Sequence, residues 1–134
     1  MSEKLTEKVL KRLETERNIW MATVRPLKNG NGEAHPHLVP VWFAWAHGKI
    51  YVCIEAKSVK GKNLQQNRPI SLSLEDGSNV VICEGTAERV AKADFPQVRE
   101  IMVQKYDWRI EEDDQYDMLV EVTPNRWLIW GSEA

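Results

Sequence analysis

The stretch from Val39 to Leu64 constrains the fold more than any other part of the chain. It runs Val-Pro-Val-Trp-Phe-Ala-Trp, turns at His47-Gly48, continues as Ile-Tyr-Val-Cys-Ile-Glu and passes into Lys-Ser-Val-Lys-Gly-Lys-Asn-Leu. β-Branched and aromatic residues at this density, divided by a Gly-containing turn, read as two long apolar strands in a hairpin. The polar stretch after Glu55 reads as the start of a short helix carrying Ser58, Lys60 and Lys62. Pro40 lacks the N–H that a central strand needs. Its strand therefore belongs at an edge, at a bulge, or where the backbone faces something other than a strand.

The flanking segments supply more strands and a few helices. Leu5, Val9, Leu10 and Leu13 follow helical spacing among charged residues, so Ser2 to Arg17 reads as an amphipathic helix with Ser2 as N-cap, a lid on a barrel end. Asn18 to Arg25 is a β-prone run stopped by Pro26, and two Asn-Gly pairs between Lys28 and Glu33 predict a hairpin back into the strand around Val39. Ile70, Leu72 and Leu74 alternate with serines, the mark of a strand with one wet face. Asp76 to Asn79 predicts a hairpin into Val80–Val90, where Gly85 is placed for a bulge. Asp94 is expected to cap a helix through Val98, Ile101, Met102 and Lys105, closed by Tyr106 and Trp108, and the acidic run Glu111 to Asp114 reads as solvated. A last hairpin is predicted from Met118–Thr123 through Pro124-Asn125 to Arg126–Trp130. Six or seven strands with helices only at the margins imply a mainly β protein built as a small antiparallel barrel.

Composition narrows the function. At 134 residues the whole chain, 1–134, reads as one domain. A net charge of −2 offers no basic field, so nucleic acid is not an expected partner. No apolar run approaches the roughly 18 residues of a membrane span, and the N-terminus carries no apolar signal core, so the expectation is a cytoplasmic protein without a membrane partner. Cys53 and Cys83 lie inside apolar runs without a CxxC pair and read as buried free thiols. His35 and His37 would share a strand face, but neither Cys nor carboxylate joins them at ligand spacing, and a metal site is not expected. Nucleophile elbow, P-loop and dinucleotide fingerprint are all missing. Six Trp in so short a chain fit core packing, a cofactor wall or a subunit interface. Apolar strands offer a flat wall to a planar ring, and the helix start with its hydroxyl and lysines offers N–H groups and positive charge to a dianion. A ring with a phosphate tail fits both.

An ordered series of motifs then becomes visible: Ala22-Thr-Val-Arg, a Gly-containing turn, His37-x-Val-Pro-Val-Trp-Phe43, Gly48-x-Ile-Tyr-Val52, Ser58-x-Lys60-x-x-Asn63-Leu64, Asn67-x-Pro69, Ser71-Leu-Ser-Leu-Glu75 and Glu84-Gly-Thr-Ala-Glu88. The series resembles the pyridoxamine-phosphate-oxidase-like, flavin-binding split β-barrel family. That resemblance implies a six-stranded antiparallel split barrel with flanking helices. It also implies a homodimer, with FMN in clefts between the subunits, and turnover of a small-molecule substrate. A deazaflavin coenzyme or haem is the alternative ligand, and binding without turnover the alternative function. Carried over by position, Ser58 and Lys60 hold the phosphate with Lys62 and Asn63 beside them. Val39, Pro40, Val41 and Trp42 line the ring together with Cys53 and Ile54, and Trp130 approaches from the partner subunit. Val59 stands where the family commonly carries a basic residue. The chain ends at Ala134 without the Arg-Leu-His segment of the oxidases proper, so the resemblance points to the general flavin or deazaflavin branch rather than the true oxidase.

Overall fold

The structure, a computed structural model, describes residues 5–26, 32–132 and 134. Ser2 and most of the Asn-Gly turn lie outside the described residues. Among the described residues, seven strands form one antiparallel sheet, interleaved with three α-helices: α1 (Glu7–Thr15), β1 (Ile19–Arg25), β2 (His35–Val41), β3 (Ala44–Ala46), β4 (Lys49–Ile54), α2 (Val59–Gln66), β5 (Pro69–Leu74), β6 (Val80–Val90), α3 (Pro96–Tyr106) and β7 (Met118–Trp130). The strand order is β2-β1-β5-β6-β7-β4-β3. The two edge strands, β2 and β3, are consecutive in the chain and joined only by Trp42 and Phe43. A two-residue link cannot span a flat seven-stranded sheet, so the sheet curls until its edges nearly meet. The result is a half-barrel with a seam.

Burial follows from how each strand faces that curl. In β1, Ile19, Met21 and Thr23 point inward, and Trp20 and Ala22 point outward. β4 reads Lys-Ile-Tyr-Val-Cys-Ile with no alternation because both of its faces are covered. Ile50, Val52 and Ile54 enter the barrel core with Leu13, Met21, Leu72 and Val120. Tyr51 and Cys53 enter a second cluster on the outer face, beneath α3, with Val98, Met102, Ile110 and Leu119. The hairpin between β3 and β4 turns on His47 and Gly48, both with positive φ (56° and 70°), the conformation that matches strand twist in a two-residue loop.

Three expectations are corrected. The apolar run from Val39 to Trp45 is two strands rather than one, since β2 pairs with β1 and β3 with β4. Residues Pro124-Asn125 do not turn the chain. β7 stays paired with β6 from Leu119 to Trp130, and the register shift between Glu84 and Gly85 absorbs Asn125 as an extra residue. These two differences offset each other, and the sheet has seven strands where the resemblance implies six. Asp94 does not cap α3. It ends a short 3₁₀ turn (Lys92–Asp94), and Phe95 precedes Pro96 at the helix start without a side-chain cap. Helix α1 is capped by Thr6, whose hydroxyl accepts from Val9 N at 3.2 Å, and ends before Arg17.

Gly85 is required at the bulge because a Cβ there would sit 2.6 Å from the Thr123 carbonyl oxygen and 2.8 Å from Val122 Cγ1. Gly85→Ala is expected to lower unfolding free energy by about 2 kcal/mol or more, as backbone must move to admit the methyl. Gly77→Ala has open space around it and should change stability by no more than about 0.5 kcal/mol. Equilibrium denaturation of both variants measures the contrast.

Candidate functional site

The seam leaves two backbone edges unpaired. β2 is bonded to β1 on one side only, and β3 covers only Lys49, Ile50 and Tyr51 of β4. The remainder of β4, from Val52 to Ile54, therefore faces the seam from the other side. Between these edges lies a cleft of about 490 Å³. Pro40, Val41 and Trp42 line it from the β2 edge, Cys53 and Ile54 from β4, and Lys60 from the first turn of α2. Each of these six was named from the sequence. Asn18, Trp108, Asp113 and Tyr116 also line it and were not.

Helix α2 starts where it does because Ser58 caps it, accepting from Gly61 N at 3.1 Å while its own hydroxyl donates to the Glu55 carbonyl at 2.7 Å. Gly61 is seated against the carbonyls of Glu55 and Ala56, where any Cβ would collide. Buried Asn63 donates from Nδ2 to Thr23 Oγ1 at 3.0 Å, and Asn67 donates to the Val24 carbonyl at 3.2 Å, so the helix is pinned to β1. Ser58 and Asn63 thus serve the position of α2, and neither lines the cleft. Lys62 is exposed on the helix and Val39 lies on β2, both off the cleft lining. Lys60 has no hydrogen bond or ion pair among the described residues, and with the uncapped amides of the first turn it gives the cleft a free cation and open donors. Trp130 ends β7 at 55 % exposure, beside α1 and away from the cleft lining.

The seam itself is held by α3. The Tyr106 hydroxyl accepts from Phe43 N at 3.1 Å and donates to the Arg17 carbonyl at 2.7 Å. Lys105 donates from Nζ to the Phe43 carbonyl at 3.1 Å, and its ammonium lies 3.7 Å from the Phe43 ring centroid. Trp42 stacks on Tyr106 at 4.4 Å with an interplanar angle of 3°. Both peptide groups of Phe43 are thereby satisfied in a place where the sheet cannot satisfy them.

The acidic run is not a simple solvated loop. Ile110 is buried, and Lys92 donates to the carbonyls of Ile110 and Asp113 at 2.6 and 2.9 Å. Asp113 turns its carboxylate back onto its own loop: Oδ1 accepts from the amides of Gln115 and Tyr116, and Oδ2 accepts from Trp108 Nε1 at 2.8 Å. The Tyr116 amide and the Trp108 indole hold its carboxyl below the ordinary range, so it is ionised at neutral pH. Cys53 donates to the Tyr116 carbonyl at 3.3 Å, and burial pushes its thiol up to about 11, which keeps it protonated and unreactive. The missed signal was the aromatic residues Trp108 and Tyr116 bracketing the acids, a composition unlike a plain solvated turn.

The family model described as Pyridoxamine 5'-phosphate oxidase matches residues 5–131. Among solved structures, the chain is similar to the conserved hypothetical protein Rv2991 from Mycobacterium tuberculosis, with 24% identity, 98% of this chain and 96% of that one covered, and a TM-score of 0.67. It is similar to HutZ, the heme storage protein from Vibrio cholerae, at 20% identity, 96% and 98% coverage and a TM-score of 0.73. A structure titled F420 Reductase aligns at 22% identity, 92% and 98% coverage and a TM-score of 0.69. No curated protein matches the chain in sequence.

Burial and the nearby Arg17 guanidinium bring Lys105 down to about 8. In the unfolded chain a lysine titrates near about 10.4, so the unfolded state holds the extra proton between these values, and the folded state gains stability as pH rises from about 8 to about 10.4. Lys105→Met lacks that gain. Denaturation midpoints followed from pH 7 to 10 should show the parent gaining on the variant as pH rises; a shift the other way would mean that the Phe43 carbonyl stabilises the ammonium more than burial penalises it.

Proposed function

Because the chain belongs to the pyridoxamine 5'-phosphate oxidase-like family, we propose that it is a homodimeric flavoprotein that holds FMN in the seam cleft and serves electron transfer to a small-molecule acceptor. The observation that carries this reading is the cleft's composition, with two unpaired backbone edges and an apolar lining at the seam and an unpartnered lysine on a helix start beside it. Lys60 and the open amides of Val59 and Lys60 would hold the phosphate, each charged hydrogen bond contributing on the order of 1.5–3 kcal/mol. The free edges of β2 and β4 offer carbonyls and amides to the rim of a planar heterocycle, and Val41, Trp42 and Ile54 exclude water from its faces. Bound flavin supplies the redox chemistry, so no catalytic side chain is required of this chain.

Dimerisation is proposed from the outer face of the seam. Trp20 stands across from Pro40 and Ala22 across from Leu38, so these residues share the face of the β1–β2 ribbon opposite the core. Trp20 and Leu38 are 37 and 62 % exposed, and a second copy seated there would cover an apolar surface that a monomer leaves wet. In such a dimer Trp130 of one chain would be free to reach the cleft of the other.

A visible spectrum of the purified protein tests the ligand directly. An FMN spectrum is expected; deazaflavin or haem absorption in its place would replace FMN as the occupant. Lys60→Ala should leave the fold intact and weaken FMN at least tenfold, a loss of about 1.4 kcal/mol, and unchanged affinity by titration would remove Lys60 from the phosphate site. Trp130→Ala chains mixed with parent chains should give dimers in which one of the two cofactor sites is weakened, read by FMN titration of the mixed dimer.

A further inference from the structure

Where the acidic loop lines the cleft, Trp42 approaches the Trp108 ring at 5.8 Å and 75°, and Tyr116 approaches the same ring at 5.4 Å and 88°. The three rings and the Asp113 carboxylate all line the cleft. One face of Trp42 is taken by Tyr106 and the Arg17 guanidinium lies 6.0 Å from the Trp42 ring centroid, yet Trp42 remains 43 % exposed, so part of its ring is open. Tyr116 is 36 % exposed. Trp108 cannot swing away, because its indole N–H is tied to Asp113, and Asp113 is tied in turn to the amides of Gln115 and Tyr116. Lys92, the nearest cation, spends its hydrogen bonds on backbone carbonyls, and among the described residues no lysine or arginine is ion-paired with the Asp113 carboxylate.

The faces of indole and phenol rings carry negative electrostatic potential and attract cations, and a fixed carboxylate beside them adds to the attraction. An anionic ring entering the same space meets repulsion from both sources. Core packing explains part of Trp108, which sits against the outer cluster, but not the exposed surfaces of Trp42 and Tyr116 beside an ionised carboxylate. We propose that Trp42, Trp108, Tyr116 and Asp113 form a substrate subsite that takes a flat, positively charged heteroaromatic ring and rejects anionic ones. Assigning that ring to the acceptor of the cofactor's electrons rests on the flavoprotein reading; recognition of the ring does not.

Calorimetric titration with N-methylquinolinium and with quinoline-2-carboxylate, on the protein before and after incubation with FMN, tests the subsite. The cation is expected to bind at least tenfold more tightly than the anion, with an affinity that falls as salt rises. Asp113→Asn should reduce the cation-over-anion preference at least fivefold. Tyr116→Leu keeps the backbone amide and carbonyl of that position and should weaken the cation at least threefold while leaving the anion unchanged. Equal affinity for the two probes, or a preference that neither substitution alters, overturns the proposal. Cation selectivity in a protein that takes up no FMN supports the subsite and counts against the flavoprotein reading. FMN uptake without cation selectivity does the reverse.

Discussion

The structure depends on what happens at Phe43. The sheet is one antiparallel ribbon whose first and last strands are neighbours in sequence, so the link between them must leave one edge and join the other without a ladder to satisfy it. Unpaired peptide groups in a buried link would cost about 1–3 kcal/mol each, which makes the Tyr106 hydroxyl and the Lys105 ammonium structural necessities. Helix α3 is therefore more than a cover for the outer cluster. By fixing Phe43 it fixes Trp42, the side chain that the seam presents to the cleft.

The same seam explains why a cleft exists at all. A closed barrel would pair β2 with β3 and β4 and leave no open backbone; the short reach of β3 leaves Val52 to Ile54 facing the edge of β2 across a gap. Helix α2 and the acidic loop line it with opposite charge, Lys60 from one and Asp113 from the other. A site lined by a cation, an ionised carboxylate and aromatic rings is suited to a ligand pair of unlike charge. Neither element is held by chance. Asn63 and Gly61 lock the helix, while Lys92, Trp108 and the Asp113 carboxylate lock the loop.

Much of this was legible in the residues. The apolar run of β4 announced a strand, Pro40 an edge, a bulge or a gap in the ladder, Gly85 a bulge, and Ser58 a helix start. What misled was chemistry that is ambiguous at short range. Pro124-Asn125 has the composition of a turn, yet a bulge opposite Gly85 accommodates the missing N–H and the extra residue within a continuous strand. Val39 to Trp45 looks like one strand because both of its halves are apolar, and nothing local records that they pair with different partners. Asp94 has the composition of a cap but falls in a 3₁₀ turn one residue too early.

The sequence by itself determined the elements, their class and the cationic helix start, because hydrophobic period, turn chemistry and capping act over a few residues. Only the tertiary structure decided that β2 and β3 are the two edges of a curled sheet, that Asn63 is spent on β1 while Lys60 remains free, and that Asp113 lines the same cleft as Trp42, Trp108 and Tyr116. Those outcomes are set by contacts between residues far apart in the chain. Their energies depend on which edge meets which, and no local pattern carries that information.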